Sequence, residues 1–246
     1  MSIEIIVFGS LVVLVAAFAM SITGFGFALI AAPLLLFILE PKTVVITNLM
    51  IGPVLCILIL WESWRQVRIK QLVLLAVGSI CGVPIGTFIL ANSTPAALKL
   101  IISALVVFFA VPIALGYSHH FKLEKLVFGI TGIMSGILAS SASLAGPPVV
   151  LLLLNQGWKK ESLRASLAAY LLLTGLVALA ALGISGVFSS DITLSSFTYI
   201  PAALLGFLIG RKVVPAVNPE FFRKLAIIIV LIAAIAGVIT SLLTLL

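Results

Sequence analysis

Apolar residues run through this chain in eight blocks separated by short polar or charged intervals. Six blocks have the length of single membrane-crossing helices, at residues 44–61, 71–90, 98–117, 163–183, 197–212 and 222–244. About 20 apolar residues suffice to cross a bilayer core. The other two, 3–39 and 126–154, are longer than one crossing needs, and small polar residues and glycine interrupt each near its middle. An interrupted helix exposes backbone groups that lipid cannot satisfy, so such a break must be buried in protein or face a watery cavity. The pattern therefore predicts two broken helical hairpins and six spanning helices.

The two halves of the chain repeat. Val7-Phe8-Gly9 recurs as Val127-Phe128-Gly129, and Ser21-x-Thr23-x-x-Gly26 recurs as Ser141-x-Ser143-x-x-Gly146. Gly82-x-x-x-Gly86 with Pro95 and Lys99 is matched by Gly206-x-x-x-Gly210 with Pro219 and Arg223, the offset drifting from 120 to 124. Ordered matches at a nearly constant offset define repeats of 1–118 and 123–246 within one transmembrane transporter domain, 1–246. The Gly-x-x-x-Gly pairs are read as close helix-packing faces.

Composition changes the picture in one respect. With 63% hydrophobic and 9% charged residues, the chain has no polar stretch long enough to hold a soluble catalytic or regulatory domain. Residues 1–20 are read as mature protein and not as a leader, because the region before the apolar run carries Glu4 and no Lys or Arg. Cys56 and Cys81 fall within apolar spans as small hydrophobes. The net charge of +7 comes from basic residues scattered in short loops, which speaks of orientation and excludes a nucleic-acid patch. Twelve Lys and Arg residues fall on one side of the predicted spans, and only Lys42 and Lys99 on the other. The positive-inside rule makes the first set cytoplasmic. Residues 126–154 then enter from the cytoplasm and return to it, 3–39 enters from outside, and both termini lie outside. The expected fold is an all-α integral membrane protein of two inverted-topology repeats, each a broken, re-entrant helical hairpin plus three transmembrane helices.

The hairpin tips carry the candidate chemistry. A helix that starts at each tip points unpaired N–H groups and about half a positive charge into the protein, so two such ends form an anion site without a basic side chain. In the second tip, Gly146-Pro147 is a helix start and Asn155-Gln156-Gly157 a stop; in the first, the start lies near Ala28 or at Ala32-Pro33. Ser21, Thr23, Ser141 and Ser143 offer hydroxyl donors, Gly24, Gly26 and Gly146 allow close backbone approach, and Phe25 or Phe27 can pack on an organic body. Asn48, Tyr170 and Arg164 are further substrate-binding candidates on later spans, each balanced by a plain packing or interfacial role. No carboxylate sits at mid-span, and no His/Cys cluster suggests a metal or a cofactor. With no catalytic set either, the chain is read as a non-enzyme.

The segments Thr23-Gly24-Phe25-Gly26 followed by Pro33, and Ser143-Leu144-Ala145-Gly146-Pro147-Pro148, resemble those of the TauE/SafE sulfite exporter family of bacterial anion transporters, and the resemblance covers essentially the whole chain. It implies a secondary transporter, working as an exporter from the cell inner membrane by alternating access. The implied substrate is sulfite, an organosulfonate or a related small organic anion. Phe25, Phe27 and Leu144-Ala145 depart from the family's more glycine-rich tips and leave room for a substrate with an apolar body. An anion channel, or an uptake permease for organic carboxylates and sulfonates, are the alternatives. The partners expected are the small-molecule anion and the lipid bilayer, with no nucleic acid and with a homodimer as an open question of assembly.

Overall fold

The computed structural model describes residues 2–115, 124–156, 158–188, 190–213, 228 and 230–239. All regular structure among them is helical: α1 Ile3–Thr23, α2 Phe27–Leu35, α3 Pro41–Ser63, α4 Ile69–Asn92, α5 Pro95–Leu115, α6 Glu124–Ala142, α7 Gly146–Asn155, α8 Lys160–Ile184, α9 Ser190–Thr198 and α10 Ile200–Val213. An apolar helix, α11, follows at Val230–Ile239. Among the described residues, seven helices are long and apolar enough to cross a membrane: α1, α3, α4, α5, α6, α8 and the α9–α10 unit taken over Ile192–Lys212. The expected span 222–244 is described only in part, and Pro219 and Arg223 lie outside the described residues.

Both interrupted blocks fold as a long arm followed by a short one. At 1.5 Å per residue, the 21 residues of α1 extend about 31 Å, enough to cross a hydrocarbon core of about 30 Å. The nine residues of α2 and the ten of α7 reach only about 14–15 Å. Of the two starts expected for the first short arm, the one near Ala28 is right. Pro33 lies inside α2 and does not open it. The second short arm begins at Gly146 as expected.

A break not expected from the sequence divides 197–212 at Tyr199, between α9 and α10. Pro201 is the cause, since it lacks an N–H and its ring clashes with the carbonyl four residues back. Tyr199 turns inward at the break, fully buried, with its ring against Gly9 and its hydroxyl donating to Ile5 O at 3.4 Å.

Glycine faces bring four helices into backbone contact. On α4, a Cβ added at Gly82 would lie 2.1 Å from Ile133 O of α6, and one at Gly86 would lie 2.1 Å from Ile137 O and 2.4 Å from Ser140 Oγ. On α10, a Cβ at Gly206 would lie 2.1 Å from Leu14 O of α1, and one at Gly210 would lie 2.0 Å from Ser21 Oγ. Only glycine permits these approaches, and in lipid such close backbone packing is a principal source of helix association. The partners on the long arms, Leu14 with Ile133 and Ser21 with Ser140, are 119 residues apart, one fewer than the sequence match. In packing, Ser21 therefore corresponds to Ser140 and not to Ser141.

Candidate functional site

The long arms end in different ways. After α1 the chain turns through Gly24 (φ 80°) and Gly26 (φ 94°), both left-handed. After α6 the same left-handed place is taken by Ser143 (φ 59°), the one non-glycine residue with positive φ among those described. Each turn is closed by its own N–H, from Gly24 to Met20 O at 2.8 Å and from Ser143 to Ala139 O at 3.0 Å.

Both tips border one cavity of about 70 Å³. A cavity needs about 10–15 Å³ on this measure to hold one water, so this one has room for several waters or a compact oxyanion. Gly26, Phe27 and Ala28 line it from the first tip, and Ser143, Gly146 and Pro147 from the second. Asn48, Gly52, Pro53 and Cys56 of α3 face Leu171 and Gly175 of α8 across it. These positions fall in the middle of both long helices. Asn48 is 3% exposed, and its Nδ2 donates to Ser143 Oγ at 3.1 Å while its Oδ1 has no hydrogen-bond partner.

Five of the twelve candidates line the cavity: Gly26, Asn48, Ser143, Gly146 and Pro147. The other seven stand behind it. Ser21 Oγ donates to Phe18 O (2.7 Å) and Ser141 Oγ to Ile137 O (2.6 Å), the inward bonds by which hydroxyls satisfy themselves within a helix. Thr23 Oγ1 is held between Ala19 O and the Phe25 backbone, so it braces its own turn. Phe25 is half-buried against apolar neighbours, while Phe27 lies on the cavity wall. Tyr170 is buried among the hydroxyls of Ser79, Ser135 and Thr174, none within hydrogen-bonding geometry of its Oη.

Arg164 holds the first tip. Its stem lies on Gly24, where an added Cβ would be 2.4 Å from Arg164 Cγ, and its Nη2 donates to Ser21 O at 2.9 Å. Its Nε has no partner. Nearby, Arg211 pairs with Glu62 at 2.7 Å, joining the ends of α10 and α3. Among the described residues, no group of three or more His, Cys, Asp or Glu side chains comes together.

Sequence reasoning missed Gly52, Pro53, Cys56 and Gly175, which carry no polar signature. The available signal was Gly52-Pro53 in mid-span, where Pro53 cannot bond to Leu49 O and meets Gly175 at 3.2 Å from the latter's Cβ position.

A family model described as Sulfite exporter TauE/SafE matches residues 10–237. The chain belongs to the TauE/SafE family. A curated relative from Cupriavidus necator, named probable sulfite/organosulfonate exporter TauE, is 21% identical over 168 residues, which are 67% of this chain and 64% of the relative. No solved structure matches. Membership of this family and the seven long apolar helices among the described residues make the TauE/SafE chain a multi-pass membrane protein.

Proposed function

We propose that the chain is a secondary transporter exporting sulfite, an organosulfonate or a related small organic anion across the cell inner membrane, by alternating access around the cavity between the two tips. The observation that carries this is the meeting of both broken-helix tips at one cavity in the middle of α3 and α8. Discontinuous helices that aim N-termini at a mid-membrane site are a recurrent way of holding an anionic group. The name of the Cupriavidus necator relative favours sulfite or organosulfonate as the class.

The inverted repeat is supported by reciprocal packing. The long arm of each hairpin lies against the glycine-faced helix of the other half, α1 on α10 and α6 on α4. Orientation is supported by the charge bias and by Trp61, Trp64 and Trp158 at the same end as Arg65 and Arg68, with Arg68 over the Trp158 ring at 4.9 Å. Aromatic and basic residues gather in this way at a cytoplasmic interface. An anion leaving a negative interior gains about 2.3 kcal/mol per charge per 100 mV, so export needs no coupling ion.

Efflux of sulfite from loaded proteoliposomes is the test. Gly52 lines the cavity and has open space where a Cβ would stand, so Gly52→Leu should fill the site without disturbing the fold and abolish efflux. Flux unchanged by this substitution in folded protein would overturn the assignment of the site. Conductance in planar bilayers far above carrier rates would replace the carrier with a channel.

A further inference from the structure

The two tips differ in what they can donate. The first turn of α2 is Phe27-Ala28-Leu29, whose three N–H groups have no acceptor within the helix, the first bond to the N-cap carbonyl being that of Ile30 to Gly26 O at 3.1 Å. The first turn of α7 is Gly146-Pro147-Pro148, and two of those three residues have no N–H. Both helices are long enough to carry a dipole, but α2 offers three first-turn N–H groups to an anion and α7 only that of Gly146.

A second observation, independent of the helix ends, points the same way. Asn48 lines the cavity opposite, 3% exposed, and its Oδ1 is an acceptor without a partner beside the second tip. Leu49, one residue on and also on the cavity wall, has a carbonyl that lacks its usual helical donor because the residue four further along is Pro53. Buried acceptors left unpaired are costly, and they repel a negative group while favouring a donor.

Building on the proposed transport site, we infer that the cavity is polarised. The oxyanion of the substrate lies against the α2 first turn, and the opposite end of the ligand, which faces Asn48 and Pro147, is a neutral hydrogen-bond donor. The site therefore takes anions with one charged head and rejects those with two. Pro147 and Pro148 act as specificity residues by withholding donors from the second tip.

Two sulfonates that differ only at the far end separate these properties: 2-hydroxyethanesulfonate, which donates, and ethane-1,2-disulfonate, which carries a second anionic head. Calorimetry on the purified full chain should show the hydroxy compound binding at least about tenfold more tightly, the scale of one charge-assisted hydrogen bond. Ala28→Pro removes one N–H within the first turn of α2, where proline is tolerated because that N–H has no helical acceptor, and should weaken the hydroxy compound by about tenfold. Pro147→Ala restores a donor at α7 and should narrow the gap between the two ligands. Equal or tighter binding of the disulfonate to the unmodified protein overturns the polarity, as does unchanged affinity in folded Ala28→Pro. Gly52→Leu keeps the two levels apart: if it abolishes binding while the ligands show no preference, the site stands and only its polarity fails. Binding that survives Gly52→Leu places the ligand elsewhere.

Discussion

Asn48 Nδ2 donates to Ser143 Oγ across 3.1 Å, tying the middle of α3 to the turn that ends α6, 95 residues further along the chain. The bond reaches the one position, among the described residues, where a side chain with a Cβ is held in the left-handed region, at φ 59°. That conformation costs about 1–2 kcal/mol for a residue other than glycine, and such strain persists only where the surroundings hold it. On the other side of the cavity Arg164 does comparable work, reaching from α8 to Ser21 O and covering Gly24. Each tip is thus braced by a helix from the other half of the chain.

Ser143 allows strain and function to be separated. Ser143→Ala keeps the left-handed strain and loses the hydroxyl, whereas Ser143→Gly loses the hydroxyl and relieves the strain. The glycine variant should therefore be more stable than the alanine variant by about 1 kcal/mol, the reverse of the usual order in a helix. Both remove a hydroxyl whose proton goes to Ala142 O and whose oxygen accepts from Asn48 Nδ2, so both should leave sulfite affinity nearly unchanged; a loss of about 1–3 kcal/mol would show that the hydroxyl turns to the ligand. Thermal unfolding in detergent and calorimetry with sulfite measure the two effects; alanine equal to or above glycine in stability would remove the strain argument.

The Arg164 brace predicts a coupled pair. Gly24→Ala places a Cβ 2.4 Å from Arg164 Cγ and forces a side chain to φ 80°, so it should cost more than about 1–2 kcal/mol of conformational strain alone. Arg164→Ala in the same chain removes the 2.4 Å contact, leaving a tight Cβ approach of 3.1 Å and the φ penalty. Folded yield and melting temperature of the double variant should exceed those of Gly24→Ala; strict additivity would mean that the contact carries no energy.

Much of the architecture was legible because lipid imposes simple demands. Span lengths, the Gly146-Pro147 helix start and the two Gly-x-x-x-Gly faces followed from apolar run length, proline chemistry and the need for close helix contact. The Tyr199 break was written in Pro201, but the apolar run continued through it and masked the signal. The site was less legible. Thr23, Ser141 and Ser143 all give their hydroxyl protons to carbonyls of their own turns, and what sets Ser143 apart is its left-handed turn, which places the residue on the cavity wall and its oxygen within reach of Asn48. Gly52, Pro53 and Gly175 matter through the space they leave and the bond they withhold, which composition does not reveal.

Topology can be read by chemistry on exposed positions. In a background with Cys56 and Cys81 replaced, single cysteines at Gln66 and Lys159, both exposed, should resist an impermeant thiol reagent applied from outside. A cysteine at Ser93, on the turn between α4 and α5, should react. Labelling of position 159 with 66 protected would mean that the α6–α7 unit crosses the membrane, and the re-entrant reading would fall.

The aromatic residues of the first tip give the sharpest test of what the cavity holds. Phe27 is 3% exposed and forms part of the cavity wall, while Phe25, two residues earlier, packs among apolar side chains behind it. Phe27→Ala should therefore weaken binding of a sulfonate with an organic body more than that of sulfite, by about 1–3 kcal/mol for the lost apolar contact. Phe25→Ala removes packing that supports the tip as a whole, so its effect should be the same for both ligands and should appear mainly in stability. Calorimetry of both variants against sulfite and a propyl sulfonate distinguishes the two roles. Equal losses in Phe27→Ala would assign the ring to support of the α2 turn, and the ligand would then meet this wall only through the backbone of Phe27 and Ala28.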